Sequence, residues 1–382
     1  MKKLLFIVSY THHFCHRANN GIVSCFLVFI AVGFAACGGD ENNTSPNPSP
    51  VNSGSTIERG DSIYEDTNPI EVTPFLINSD TLQVPIVSTV FTLGNAPVTD
   101  GSDSTEPLRT LLLFRQLGID CEWRYEGFFY MIWKILPEWY VNWAGVSEEE
   151  KLALQRIWLN NNTHQSFVEL IDGNDDLIIT ARGISRDELK YAEEKGVALL
   201  SCPIAKDAFV FIVNANNPVK SLTIKQIQDI YMGKITNWIQ VGGNDAPIKP
   251  YIRNANSGSQ EKMETVVMKG LTMPDWAELK LWTMISPYET LANDENGICY
   301  TPYYYYKYIV RSDAVKTIAV DYVEPDKESI QEGTYPYITN VVASVRSDVD
   351  RASTAYQFFY QLSKGELDNI IEESGYIPIS KQ

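Results

Sequence analysis

Histidine is almost missing from the body of this chain. Of four histidines in 382 residues, His12, His13 and His16 fall near the start, leaving only His164. That count all but excludes a histidine-based catalytic or zinc constellation. Cysteine is equally thin. After Cys15, Cys25 and Cys37 come only Cys121, Cys202 and Cys299, far apart and without a Cys-x-x-Cys pair, so no metal site and at most one disulfide is expected. No Gly-x-Ser-x-Gly elbow occurs, which weighs against a serine hydrolase. Basic residues are outnumbered, 31 Lys and Arg against 48 Asp and Glu, a net charge of −17. Such a surface argues against nucleic acid or an anionic membrane face as partner. The apolar run Ile22 to Ala36 is fifteen residues, short of the ~20 that a spanning helix needs.

What is present begins with a targeting segment. Lys2, Lys3 and Arg17 precede that apolar run, and Phe34-Ala-Ala-Cys37 closes it with small residues before a cysteine. The pattern resembles a bacterial lipoprotein signal, residues 1–36, with Cys37 as the lipidated first residue of the mature chain. The resemblance implies an envelope protein anchored to a membrane by lipid, facing the periplasm or the cell surface of a Gram-negative bacterium. Without the leader the net charge is −20. Residues 37–83 open with a polar, proline-rich stretch that has little to bury, and they are expected to form a disordered tether.

The body carries three polar turns that each lead into a helix. Asp100-Gly-Ser-Asp-Ser-Thr-Glu-Pro-Leu108 starts an apolar-periodic helix with Pro107 in its first turn. Asn160-Asn-Asn-Thr-His-Gln-Ser-Phe167 enters a second, closed by Asp172-Gly173. Tyr251-Ile-Arg-Asn-Ala-Asn-Ser-Gly-Ser-Gln260 enters a third, where Ser257 and Gln260 read as a capping box. The first amides of a helix have no intrahelical partner and sit at the positive end of its dipole. Three such ends, at 102–105, 162–165 and 257–259, would make a seat for a tetrahedral oxyanion if they converged. Arg253 is the expected charge-assisted donor and Arg182 a second.

These elements resemble the substrate-binding proteins of phosphate ABC importers. Arg253-x-x-x-Ser257-Gly258-Ser259 matches the family's anion loop, and Asp100 to Ser104 its first ligand loop. Asn217-Pro-Val-Lys-Ser-Leu-Thr-Ile-Lys-Gln-Ile-Gln-Asp-Ile-Tyr-Met-Gly-Lys-Ile-Thr-Asn-Trp238 is close to a run these proteins carry, and Ser374-Gly-Tyr-Ile-Pro378 is a similar terminus. The resemblance implies ligand contacts from Ser102, Asp103, Ser104, Thr105, His164, Thr180, Arg182, Arg253, Ser257, Gly258 and Ser259. Two positions depart from it. Asp103 stands where the family usually has Thr, and Ala181 where many members have an Asp that accepts the ligand's proton. Asp103 is a candidate replacement for that acceptor.

Strands alternating with helices imply an α/β fold. The resemblance narrows this to the two-lobed type II periplasmic binding protein fold, with a discontinuous first lobe (84–206 and 338–382), a second lobe (207–337) and a cleft between them. A first strand is expected at Val84 to Phe91, a long crossing strand at Cys202 to Asn214, and a helical stretch near 274–284. The aromatic run 119–150 and the tyrosines at 303–308 read as packing, with one tyrosine a candidate to face the cleft. The favoured function is capture of inorganic phosphate by a monomer, without cofactor, for an ABC permease. Alternatives are another oxyanion or a phosphorylated metabolite on the same fold, or a surface sensing or adhesion module.

Overall fold

The computed structural model describes residues 91–124, 138–141 and 146–379, with backbone alone for 122–124 and 138–141. All lie in one unit, Pro69–Gln382. The leader, the tether and the strand expected at Val84 to Phe91 lie outside the described residues, apart from Phe91 itself, which is buried but in no strand. So does most of the aromatic run 119–150.

In chain order, β1 (Thr99–Gly101) leads through a 3₁₀ turn, Asp103–Thr105, into α1 (Glu106–Gln116). A two-stranded ribbon, β2 (Cys121–Arg124) with β3 (Glu138–Val141), follows, then α2 (Glu148–Ile157), α3 (Thr163–Asp172), β4 (Leu177–Thr180) and α4 (Arg186–Lys195). The long β5 (Leu199–Asn214) precedes β6 (Ser221–Leu222), α5 (Ile224–Tyr231), β7 (Lys249–Pro250) and β8 (Ile252–Arg253). Next come α6 (Gly258–Lys262), continued by a π-helical segment Met263–Met268, then β9 (Lys280–Leu281), α7 (Ser286–Asn293) and β10 (Gly297–Pro302). The chain closes with β11 (Val315–Val320), α8 (Lys327–Glu332), β12 (Ile338–Arg346), α9 (Thr354–Ser363), α10 (Asp368–Glu373) and β13 (Ile377–Pro378).

Local chemistry explains most of these limits. Ser147, Ser185 and Thr223 make full capping boxes with Glu150, Glu188 and Gln226. Gly173, Gly196 and Gly333 end α3, α4 and α8 in the left-handed region. In α5, Ile227, Ile230 and Tyr231 form the buried stripe, and Trp238 plugs the core beyond it.

The main sheet is organised by β5. Its first part, Leu199 to Ala208, pairs antiparallel with β12, and β12 pairs in turn with β4 and so with β1. Its second part, Phe209 to Asn214, pairs with β10 and β11. One continuous strand therefore serves two sets of partners. The aromatic core around Phe209, Phe211, Tyr231, Tyr300 and Tyr337 sits where those sets meet.

Two sequence expectations are corrected. The stretch near 274–284 is a short 3₁₀ turn, Ala277–Leu279, followed by β9, which pairs in parallel with β8. Strand pairing wins there because it holds Arg253 against Leu281. At α6 only half of the capping box forms. The Ser257 hydroxyl accepts from the Gln260 N–H, but the Gln260 side chain turns to Glu264, Tyr300 and the Arg253 N–H.

Candidate oxyanion seat

Three loops meet at Thr163, the first residue of α3. Its hydroxyl lies 2.7 Å from that of Ser102, which precedes the turn into α1. On the other side, a Cβ added to Gly258 would come within 2.8 Å of the same Thr163 oxygen. Glycine is therefore required at 258 by close approach, and the start of α6 abuts the start of α3. The helix starts at 102–105, 163 and 258 are neighbours in space.

Each loop is held by bonds that follow from its residues. The Ser102 hydroxyl also accepts from the Ala181 N–H at 3.0 Å, tying β1 to the end of β4. The Thr105 hydroxyl donates to the carbonyls of Ser102 and Ile179. Asp100 accepts from the Asn161 N–H and side-chain amide at 2.8 and 2.7 Å, which clamps the loop before α3 to β1. Gly101 admits no side chain, since a Cβ there would meet the Ile179 carbonyl and the Arg109 side chain.

Arg253 supplies the positive charge. Its side chain is 4 % exposed, and no carboxylate among the described residues lies within ion-pair distance. It donates through Nε to the Leu281 carbonyl at 3.3 Å and through one terminal nitrogen to the Met284 sulfur at 3.1 Å. The Ser259 hydroxyl faces the same sulfur at 3.8 Å. Both donors thus rest on neutral acceptors, one of them the weakly accepting Met284 sulfur, which an anion would replace with gain. The Arg253 N–H bonds the hydroxyl of Tyr300 and the Gln260 side chain, which locks the arginine to the start of α6.

Burial depresses the pKa of Arg253, opposed by the nearby Cys299, Tyr300, Asp103 and Tyr305. Burial raises the Asp103 carboxyl, against the pull of Arg109 and Arg253, and the Asp100 charge raises it further. Glu106 is raised for the same leading reason, with Arg109 opposing and Asp103 adding to it. Burial raises the Tyr305 hydroxyl, and the charges of Asp103, Arg253 and Glu106 also act on it. The seat thus combines serine and threonine hydroxyls, one guanidinium, and two carboxyls that hold their protons unusually well.

Several of the other named residues have polar partners within the fold. Arg182 forms a two-pronged pair with buried Glu188, at 2.8 and 2.7 Å, and His164 Nδ1 lies 3.0 Å from the same carboxylate. Thr180 donates to the Arg182 carbonyl, and the Ser104 carbonyl accepts from the Tyr376 hydroxyl. Sequence reasoning passed over Thr163 as an individual contact, and Met284, Gln260 and Arg109. The first was readable from its place after Asn162, which caps α3. The others carry no local signal. Among the described residues no group of three or more metal-ligating side chains occurs, and no helix is long and apolar enough to cross a membrane.

Residues 159–360 match the family described as a PBP superfamily domain. Protein SphX of Synechococcus elongatus is 25% identical over 234 residues, 57% of this chain and 67% of its own length. Phosphate-binding protein PstS of Staphylococcus epidermidis is 25% identical over 248 residues, 63% of this chain and 74% of that one. A crystal structure from Clostridium perfringens, described as a phosphate ABC transporter substrate-binding protein with bound phosphate, is 22% identical, covers 74% of this chain and 98% of its own, and superposes with a TM-score of 0.52. With a family match over more than half its length, the strand order around β5 and that structural likeness, the chain is a member of the PBP superfamily with the α/β fold of type II periplasmic binding proteins.

Proposed function

We propose that this chain captures inorganic phosphate outside the cytoplasm and delivers it to an ABC permease. The observation that carries the reading is the meeting of Ser102, Thr163 and Gly258 beside a buried arginine with only neutral acceptors. Helix amino termini that converge on one point stabilise a compact anion, and a guanidinium adds a charge-assisted donor. The names of the curated relatives point to the same ligand.

Two lobes, 84–206 with 338–382 and 207–337, would close on the anion as a hinge-bending pair. The reading includes a lipid anchor at Cys37, no cofactor, and a monomer. Asp103 takes the part of the proton acceptor that Ala181 cannot play. Its proximity to Arg253 and its raised pKa support that role. Sulfate, having no proton to offer, should then bind poorly. The second carboxyl with a raised pKa, the half-buried Glu106, favours one further reading, an organic phosphate whose hydroxyls bond to it.

Calorimetric titration of the full chain with phosphate, arsenate, sulfate and glycerol phosphate tests these readings. Phosphate and arsenate are expected to bind and sulfate to fail. Equal binding of sulfate would remove the acceptor, and no heat with any anion would remove the seat.

A further inference from the structure

The helix that begins at the seat ends on the strands that run through the centre of the fold. Lys262, the last residue of α6, is 2 % exposed. Among the described residues its one side-chain hydrogen bond is a long one, from Nζ to the Thr339 hydroxyl of β12 at 3.4 Å. Thr339 is the register partner of Asp207 on β5. Asp207 is equally buried. Its Oδ1 accepts from the N–H groups of Ala208 and Tyr304, whereas its Oδ2 has no hydrogen-bond partner. A buried ammonium, reaching from α6, and a buried carboxylate oxygen, both short of partners, thus meet the same rung of the β5–β12 pairing, attracting each other without ion-pair contact.

Asp207 is linked to the other side of the seat as well. Tyr304, whose N–H it accepts, stacks on Tyr376 with ring centres 3.8 Å apart, and the Tyr376 hydroxyl donates to the Ser104 carbonyl in the loop before α1. One carboxylate therefore stands between both loops that flank the seat, bonded towards one through two tyrosines and attracted towards the other through Lys262 and α6.

We propose that Lys262 and Asp207 are positioning residues that couple occupation of the seat to the geometry of the crossing strands. An anion drawn against the α6 amino terminus shifts that helix along its axis, and the displacement brings the Lys262 ammonium onto the unpaired oxygen of Asp207. Half-satisfied buried charges are costly, so completing the pair favours the occupied state. The proposal rests on the reading of Ser257 to Ser259 as part of an anion seat, and it assigns the coupling to residues that do not touch the anion. The charged groups facing Lys262 are Asp207 on β5 and Arg182 after β4. Burial, the largest influence, lowers its pKa to about 8, Asp207 raises it and Arg182 lowers it further.

The test uses the full chain with Lys262→Met, Asp207→Asn, Lys262→Arg and the Lys262→Met/Asp207→Asn double variant. Phosphate affinity by calorimetry is expected to fall about tenfold in each single variant and no further in the double, because coupled residues are not additive. Lys262→Arg should stay within about threefold of the parent. From about pH 7 to pH 9.5 the parent should lose affinity more steeply than Lys262→Met, as the ammonium deprotonates. Unchanged affinity in folded Lys262→Met, strictly additive losses, or an identical pH slope would overturn the coupling. Thermal unfolding without phosphate gives a second cycle: the double variant should melt above either single one, and additive shifts would also overturn the pairing. A parent chain that binds no phosphate sinks the phosphate reading, and the unfolding cycle then decides the pair alone.

Discussion

The hydroxyls of Ser102 and Thr163, sixty-one residues apart in the chain, meet at 2.7 Å. That contact joins the start of α1 to the start of α3, and the bare backbone of Gly258 closes on the same threonine. The functional expectations follow from this junction and from the charges around it.

Arg253 should dominate anion affinity. Arg253→Met is expected to weaken phosphate roughly a hundredfold, as loss of one partner of a buried charge-assisted contact does. Arg253→Lys should recover only part, because an ammonium cannot reproduce the planar fork. Calorimetry reads both, and a Met variant that binds like the parent would remove Arg253 from the seat.

Gly258→Ala places a methyl 2.8 Å from the Thr163 oxygen. A strained contact of this kind typically costs ~1–3 kcal/mol. The variant should therefore melt earlier and bind phosphate less tightly. Adding Thr163→Ala should return part of the melting temperature by removing the obstructing oxygen. If Gly258→Ala melts like the parent, the two helix starts are not in contact.

Asp103 should set the pH dependence of binding. Its raised pKa keeps the carboxyl protonated to a higher pH than usual. It accepts the ligand's proton only once ionised, and it repels the anion once the ligand has lost that proton. The parent should show an affinity optimum between those limits, and Asp103→Asn a flatter profile across about pH 5 to 9. Identical profiles would exclude Asp103 as acceptor.

Arg182 should prove to be a stability residue. It is spent on Glu188, which is fully buried. Breaking such a pair by Arg182→Met should cost ~3–5 kcal/mol of stability by denaturant unfolding. Phosphate affinity of the folded variant should change less than about threefold. A much larger loss of affinity with little loss of stability would put Arg182 back at the ligand.

Asp175 should make the chain less stable towards alkaline pH. Burial first, and then the charge of Asp100, raise its pKa to about 8. The folded state therefore holds a proton that the unfolded chain releases near the ordinary value. The stability this proton contributes is complete below the unfolded pKa and lost as pH rises through about 8. Asp175→Asn, permanently neutral, should show a flatter melting curve over that window and melt roughly 2–6 °C above the parent at its alkaline end. A parent whose melting temperature rises steadily over the same range would contradict the assignment.

Helix limits were legible in the sequence because capping is a contact between residues three apart. Ser147 with Glu150, Ser185 with Glu188 and Thr223 with Gln226 behave as their spacing implies. The same spacing misled at Ser257 and Gln260, where Tyr300, forty residues away, competes for the glutamine. Near 274–284 a helical expectation failed for a different reason, because that stretch pairs with β8. Arg182 illustrates the limit for chemistry. Its guanidinium suits an oxyanion, but Glu188, on the following helix, claims it first.

By itself the sequence determined the alternation of strands and helices, the three polar turns that start helices and the surplus of negative charge. Each of these is written in residues a few positions apart or in composition. Only the tertiary structure decided that Ser102, Thr163 and Gly258 meet, that Arg253 rests on neutral acceptors, and that Lys262 reaches Thr339, the strand partner of Asp207. Those outcomes depend on competition among polar groups brought together by folding, where burial makes every unpaired partner costly and distance along the chain counts for nothing.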